Sequence, residues 1–222
     1  MERTLRHFEE LEENLSQRLS EMGRLVLGCL DDAVTALRAR DAHLAQDVVR
    51  RDASIDALEN EIDDRSLDLI LLHQVVAGDL RLALAAAKLS PELERMGDLA
   101  SSIALRAAEL AGEASQAPPA GLFTMATKVR AMVQDALHGL ITRDVALARA
   151  VIGEEDIIDA TLESLFRASL SFMIEDPRAI RASLRHVMIA KYLEQIGDGA
   201  VAIAEHSIYL VEGRNVRHHH GR

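Results

Sequence analysis

The residues of this 222-residue chain whose types and spacing suit them to chemistry are acids. Four pairs stand at spacing i, i+4: Asp52 with Asp56, Glu94 with Asp98, Glu155 with Asp159, and Glu194 with Asp198. On a helix that spacing puts both carboxylates on one face. Spacing alone means little, because 36 acids in the chain give about six such pairs by chance. Recurrence means more. Glu94 and Asp98 return 100 positions on as Glu194 and Asp198, and Asp52 and Asp56 return 103 positions on as Glu155 and Asp159. Like charges one turn apart cost a helix a few tenths of a kcal/mol, so something should offset that cost. A hard cation would, since oxygen donors without Cys or His favour Mg, Ca, Mn or iron over zinc or copper. The other reading is that the acids are the solvated faces of amphipathic helices, and the residues alone leave both open.

The elements that must position these acids are helices. The apolar residues, 49% of the chain, are mostly Ala and Leu, aromatics are 3%, and only four Pro and twelve Gly interrupt. That composition favours helix over sheet. Helical periodicity runs nearly end to end and divides the chain into six long helices. The first spans about Thr4 to Arg38, before an Arg40-Asp41 turn; the second reaches about Val76, before Ala77-Gly78; the third reaches about Ala111. Residues 113–121 read as a linker, with two prolines between flanking glycines. The fourth helix ends near Ile141 before Arg143-Asp144, the fifth near Glu175 before Asp176-Pro177, and the sixth near Glu212-Gly213. Pro91 sits inside the third helix, where a kink or a fresh N-terminus is expected.

The two halves resemble each other. Leu93-Glu94-Arg95-Met96-Gly97-Asp98 returns as Leu193-Glu194-Gln195-Ile196-Gly197-Asp198, and Val49, Asp52, Ile55 and Asp56 return as Ile152, Glu155, Ile158 and Asp159. Leu89, Leu93, Met96, Ala100 and Ile103 step by four and three, as do Ile189, Leu193, Ile196, Ala200 and Ile203. Both stripes are bundle seams. The expected architecture is all-α, as two tandem three-helix bundles over residues 1–112 and 122–213 with a tail at 214–222. The acids lie off the seam, so their carboxylates are expected to point outward, gathered four to a half where the second and third helices of each bundle are neighbours.

Several function classes fall away. Lys and Arg number 25 against 36 acids, a net charge of −11, which works against nucleic acid and anionic lipid surfaces. No apolar run is long enough to span a membrane, and the charged start, MERTLRHFEELEEN, lacks a signal-peptide core. The single Cys29, in the apolar stretch Leu25 to Leu30, reads as a small packed hydrophobe rather than a nucleophile. A ferritin-type oxidase would need Glu-x-x-His inside its bundle, and the sequence has none. With few aromatics to floor a pocket, no small-molecule site is expected. His218-His219-His220 reads as a tail without a role, and Arg81 and Arg181, 100 positions apart, as structural ion-pair formers or partner contacts.

At Arg51-Asp52-Ala53-Ser54-Ile55-Asp56, Gly78-Asp79-Leu80-Arg81, the two Leu-Glu-x-x-Gly-Asp segments and the ending Gly213-Arg214-Asn215-Val216-Arg217-His218, the chain resembles the PhoU family. These are cytoplasmic regulators of high-affinity phosphate uptake, built as two homologous three-helix bundles, and the likeness covers nearly the whole length. The family's metal motif is an acid followed four residues on by Asp. By resemblance it falls on Asp52 and Asp56, Glu94 and Asp98, Glu155 and Asp159, and Glu194 and Asp198, and implies multinuclear iron or zinc clusters at the surface. The family pattern adds Asn four and Glu seven residues after the motif Asp, where this chain has Ser102, Leu105 and Ala202 and keeps Glu205. Gln195 replaces a usual Arg. The resemblance implies a non-enzymatic, cytoplasmic homodimer that negatively regulates phosphate uptake and phosphate-starvation signalling. It would be an adaptor between the ATPase subunit of the phosphate ABC transporter and a sensor histidine kinase, peripheral at the transporter. The residues themselves also allow a metal-dependent carboxylate enzyme or a purely structural bundle.

Overall fold

A computed structural model of the chain describes residues 2–71, 77–112 and 117–213, and these are helices joined by short turns. The helices are α1 (Glu2–Ala39), α2 (Ala42–Leu71), α3 (Ala77–Ala111), α4 (Ala120–Thr142), α5 (Val145–Ile152), α6 (Glu155–Glu175) and α7 (Ile180–Glu212), with a single 3-10 turn over Pro177–Ala179. α1, α2 and α3 pack on one another; α4, α6 and α7 do the same, and α5 lies against α4 and α7. The all-α pair of three-helix bundles follows, with one difference. The expected fifth helix is two, broken at Gly153-Glu154, where the Gly153 and Glu154 N–H groups turn back to the Arg149 and Val151 carbonyls. Gly153 supplies the weak helix propensity, and Glu155 and Asp156 in the first turn of α6 suit a new helix N-terminus. The matching position in α2 is Arg50, a good helix former, and α2 runs unbroken.

Smaller differences are local. Ala77 and Gly78 open α3 rather than preceding it, and Ala120 and Gly121 open α4 rather than closing the linker. Pro91 neither starts nor ends a helix: α3 passes through it, held on both sides by Leu89 and Leu93, each buried in the core. Ser90, just before it, donates its hydroxyl to Asp63 at 3.1 Å. Val76, residues 113–116 of the linker and the tail with His218-His219-His220 lie outside the described residues.

The repeat extends to the turns. Arg40 takes a left-handed backbone (φ 54) and Asp41 accepts from the His43 and Leu44 N–H groups at 2.9 and 3.0 Å. In the second half Arg143 (φ 56) and Asp144, accepting from Ala146 and Leu147 at 2.9 and 3.0 Å, repeat the device. One residue reverses the chain while the next caps the new helix, a contribution of about 1 kcal/mol. Gly213 closes α7 at φ 67, a conformation in which a side chain would cost energy.

The two seams are buried as expected. Leu89, Leu93, Met96, Ala100 and Ile103 on α3, and Ile189, Leu193, Ile196, Ala200 and Ile203 on α7, are each at most 1% exposed. α3 and α7 also pack against each other, and α1 against α4, so the bundles are joined along their third helices. Equivalent positions meet at this join, with Arg95 donating to the Gln195 carbonyl at 3.4 Å. The ion pairs Asp31–Arg130 (3.0 Å) and Glu109–Arg185 (2.7 Å) cross it. Each third helix thereby keeps its acidic flank for its own second helix.

Gly97, between Glu94 and Asp98, shows how close that second helix comes. A Cβ there would lie 2.7 Å from Ile55 Cδ1 and 3.3 Å from its Cγ2, and 3.6 Å from Asp52 Oδ1. At Gly197 the nearest atom would be Ile158 Cγ2 at 3.7 Å, an ordinary contact. Gly197→Ala should therefore gain about 0.5–1 kcal/mol of helix propensity and raise Tm by about 1–4 °C. Gly97→Ala must push the stiff, buried Ile55, at an overpacking cost of about 1–3 kcal/mol, and should lower Tm. Thermal unfolding followed by circular dichroism checks both; equal gains at the two glycines would contradict the close approach.

Candidate metal centre

In the second half, Asp159 on α6 and Glu194 and Asp198 on α7 each offer one carboxylate oxygen, all within 4.8 Å of one another. Glu155, one turn before Asp159, adds its charge to the same group. The Asp198 carboxyl is pushed up to about 6, first by its partial loss of water and then by Glu194, Asp159 and Glu155, with Lys191 opposing. Lys191 holds both Glu194 oxygens at 2.6 Å. Its ammonium neutralises one of the four acids and leaves the rest repelling one another.

In the first half, Asp52 and Asp56 on α2 act on Glu94 and Asp98 on α3. The Asp52 carboxyl is raised by burial and by Asp98, against the hydroxyl of Ser101. Burial raises Glu94 too, with Asp98, Glu59, Asp56 and Asp52 adding to it. Among the described residues no first-half trio draws as close as the one in the second half. Cys29 lies beside this cluster with its thiol raised, chiefly by burial and against Arg51, which suits its packed role.

All eight sequence-predicted acids thus lie in two groups of four, each between the second and third helices of a bundle. They do not all point outward. In every pair the first member (Asp52, Glu94, Glu155, Glu194) is half-buried and the second (Asp56, Asp98, Asp159, Asp198) is exposed. The pairs stand with one foot in the helix-helix groove, where charge is poorly hydrated and repulsion is strongest.

Three residues that sequence reasoning passed over distinguish the halves. Glu59 and Asp63 continue the α2 face in the steps Asp52, Asp56, Glu59, Asp63, a helical period that was legible. The Glu59 carboxyl is raised by burial and by Asp63, Asp56 and Asp98. Their counterparts 103 positions on are Leu162 and Phe166, so the first half carries an acidic strip and the second an acidic pocket bordered by apolar side chains. Lys191 is the third; Pro91 stands at its place in the first half, which therefore has no ammonium of its own there.

The donor set is oxygen only, which fits a hard cation that keeps several waters, and the carboxyls of Asp52, Glu94 and Asp198 are raised first by burial and then by the neighbouring acids. A bound metal ion would supply positive charge to both groups.

The PhoU domain family model matches the chain twice, at residues 19–107 and 122–207. A phosphate-specific transport system accessory protein PhoU homolog from Aquifex aeolicus is 38% identical over 213 residues, covering 96% of each chain. One from Pseudomonas putida is 40% identical over 212 residues, covering 94% of this chain and 82% of the relative. Among solved structures, PhoU from Pseudomonas aeruginosa superimposes with a TM-score of 0.89 at 37% identity, covering 93% of this chain and all of that one. The phosphate transport system regulatory protein PhoU from Streptococcus pneumoniae gives 0.87 at 25% identity, covering 94% and 99%.

Metal-free, the folded protein keeps the Asp198 proton up to about 6, whereas an unperturbed Asp carboxyl loses it at 3.8. Between those values the native state binds more protons than the unfolded one, so stability falls as pH rises through the window. In chelator at pH 7, Asp198→Asn should therefore be the more stable protein, by about 1 kcal/mol after discounting for solvent access, or about 2–4 °C in Tm. Near pH 4 the difference should vanish. Thermal melts across that range measure it, and an Asn variant no more stable at pH 7 would mean that burial and the neighbouring acids together do not raise this carboxyl.

Proposed function

The chain belongs to the PhoU family, and from that premise we propose that it is a non-enzymatic regulator of phosphate uptake. Its relatives are named as accessory and regulatory proteins of phosphate transport. In this reading the chain holds the phosphate ABC transporter and phosphate-starvation signalling in check as an adaptor between the transporter's ATPase subunit and a sensor histidine kinase. It works as a homodimer at the cytoplasmic face, peripheral to the membrane; among the described residues no helix is long and apolar enough to cross one.

One observation carries the proposal: two repeat-related acidic groups line the outer grooves of a long helical body whose seams are hydrocarbon. Adaptors need extended surface rather than a reaction chamber. Metal ions held by Asp52, Asp56, Glu94 and Asp98, and by Glu155, Asp159, Glu194 and Asp198, would tie α2 to α3 and α6 to α7 and set the shape and charge of the faces that dock. Iron or zinc is the family's pattern; the oxygen donors also suit Mg, Ca or Mn.

Affinity capture from membrane extract of the native host, grown with high and with low phosphate, should recover the transporter ATPase or a sensor histidine kinase in at least one condition. Recovery of neither in both would overturn the adaptor reading. Elemental analysis of protein purified without a nickel column should find bound metal. Glu94→Ala combined with Glu194→Ala should remove most of it at unchanged helix content, and metal equal to that of the unsubstituted protein would remove these acids from the site.

A further inference from the structure

Where the two bundles join, α1, α3, α4 and α7 leave a cleft of about 640 Å³ between them, within the range of pockets that enclose small ligands. A cavity of this size exists even though the sequence offers few aromatics to floor one. The walls are aliphatic instead, with Leu19, Leu89, Leu93, Leu137, Leu140 and Leu210 among them. The floor is deep: Leu89 and Leu93 are each 1% exposed. Leucine and alanine give such a space an oil-like lining without a flat ring to stack on.

Its charge runs against the composition of the chain. Acids outnumber Lys and Arg 36 to 25 overall, yet the described residues that line the cleft include Arg81 from α3 and Arg143 from the end of α4 and no Asp or Glu. Neither guanidinium has an ion pair with a described residue, whereas Arg18, Arg51, Arg95, Arg106, Arg130 and Arg185 each do. Arg143 is also the residue whose left-handed backbone closes α4, so its root is fixed at the cleft by the turn. Ser16 and Ser20 add hydroxyls at the α1 side.

We propose that this cleft binds a single-chain amphiphile with an anionic head, namely a long-chain fatty carboxylate. The tail lies among the leucines, where each methylene taken out of water adds to the affinity. The carboxylate meets Arg81 and Arg143, whose planar donor forks match its two oxygens. The site is separate from both acidic groups and does not depend on metal or on the adaptor reading. Because it lies between α3 and α7, along the join of the bundles, an occupant would brace the two halves against each other.

Calorimetric titration of the full chain with sodium dodecanoate, below its micelle-forming concentration, should give saturable binding with one ligand per chain. Arg81→Met with Arg143→Met should weaken it about tenfold or more, since a charge-assisted hydrogen bond and its desolvated partner are worth at least that factor. Arg143→Met alone, at an exposed residue, should weaken it less, and Lys at both positions should restore part of the loss. Dodecyltrimethylammonium, with the same tail and the opposite head, should not compete, and inorganic phosphate should leave the titration unchanged. No saturable dodecanoate binding, indifference to the Met substitutions in variants with unchanged melting, or equal binding of the cationic amphiphile would each overturn the proposal.

Discussion

Everything in this molecule depends on forcing carboxylates together with hydrocarbon. The seam residues of α3 and α7 are almost wholly buried, each large one contributing about 1.5–3 kcal/mol. They draw the second helix of each bundle close enough that its acids confront those of the third. Repulsion among four carboxylates in water is worth a few kcal/mol at most. The seam wins easily, and the acids stay crowded. Gly97 marks the closest approach, with Ile55 lying where a side chain would otherwise be. Carboxylates crowded in place by packing are what the proposed cation binding rests on.

The sequence made much of this legible, for identifiable reasons. Seam positions follow the 3.6-residue period, so Leu93 and Ile196 were readable as core without coordinates. The acidic pairs were readable because duplication repeats them 100 and 103 positions apart. Which elements would meet was not a periodic property. That the first acid of each pair is half-buried depends on how near α2 lies to α3, and periodicity does not encode distance. The break at Gly153-Glu154 escaped because a single glycine in a helical pattern is often tolerated. The cleft escaped because it belongs to four helices from both halves, and no local pattern records an absence of packing between distant segments.

The halves have diverged around a common plan. The first keeps the acidic strip through Glu59 and Asp63; the second replaces those two with Leu162 and Phe166 and adds Lys191 beside Glu194. An ammonium within the second group competes for the same oxygens as a metal ion, while the first group has no built-in cation at the matching place. On the proposed metal binding, the two groups should differ in affinity although their pairs are alike, and the apolar border of the second gives that face of the molecule a different surface from the first.

The central claim is that two repeat-related groups of carboxylates, held by the seam, take up cations. Anomalous diffraction from crystals soaked in manganese tests it most directly. The account predicts peaks in both grooves, one between Asp52, Asp56, Glu94 and Asp98 and one between Glu155, Asp159, Glu194 and Asp198, the first appearing at lower manganese concentration. Peaks absent from both grooves, or found only on unrelated surface acids, would contradict it.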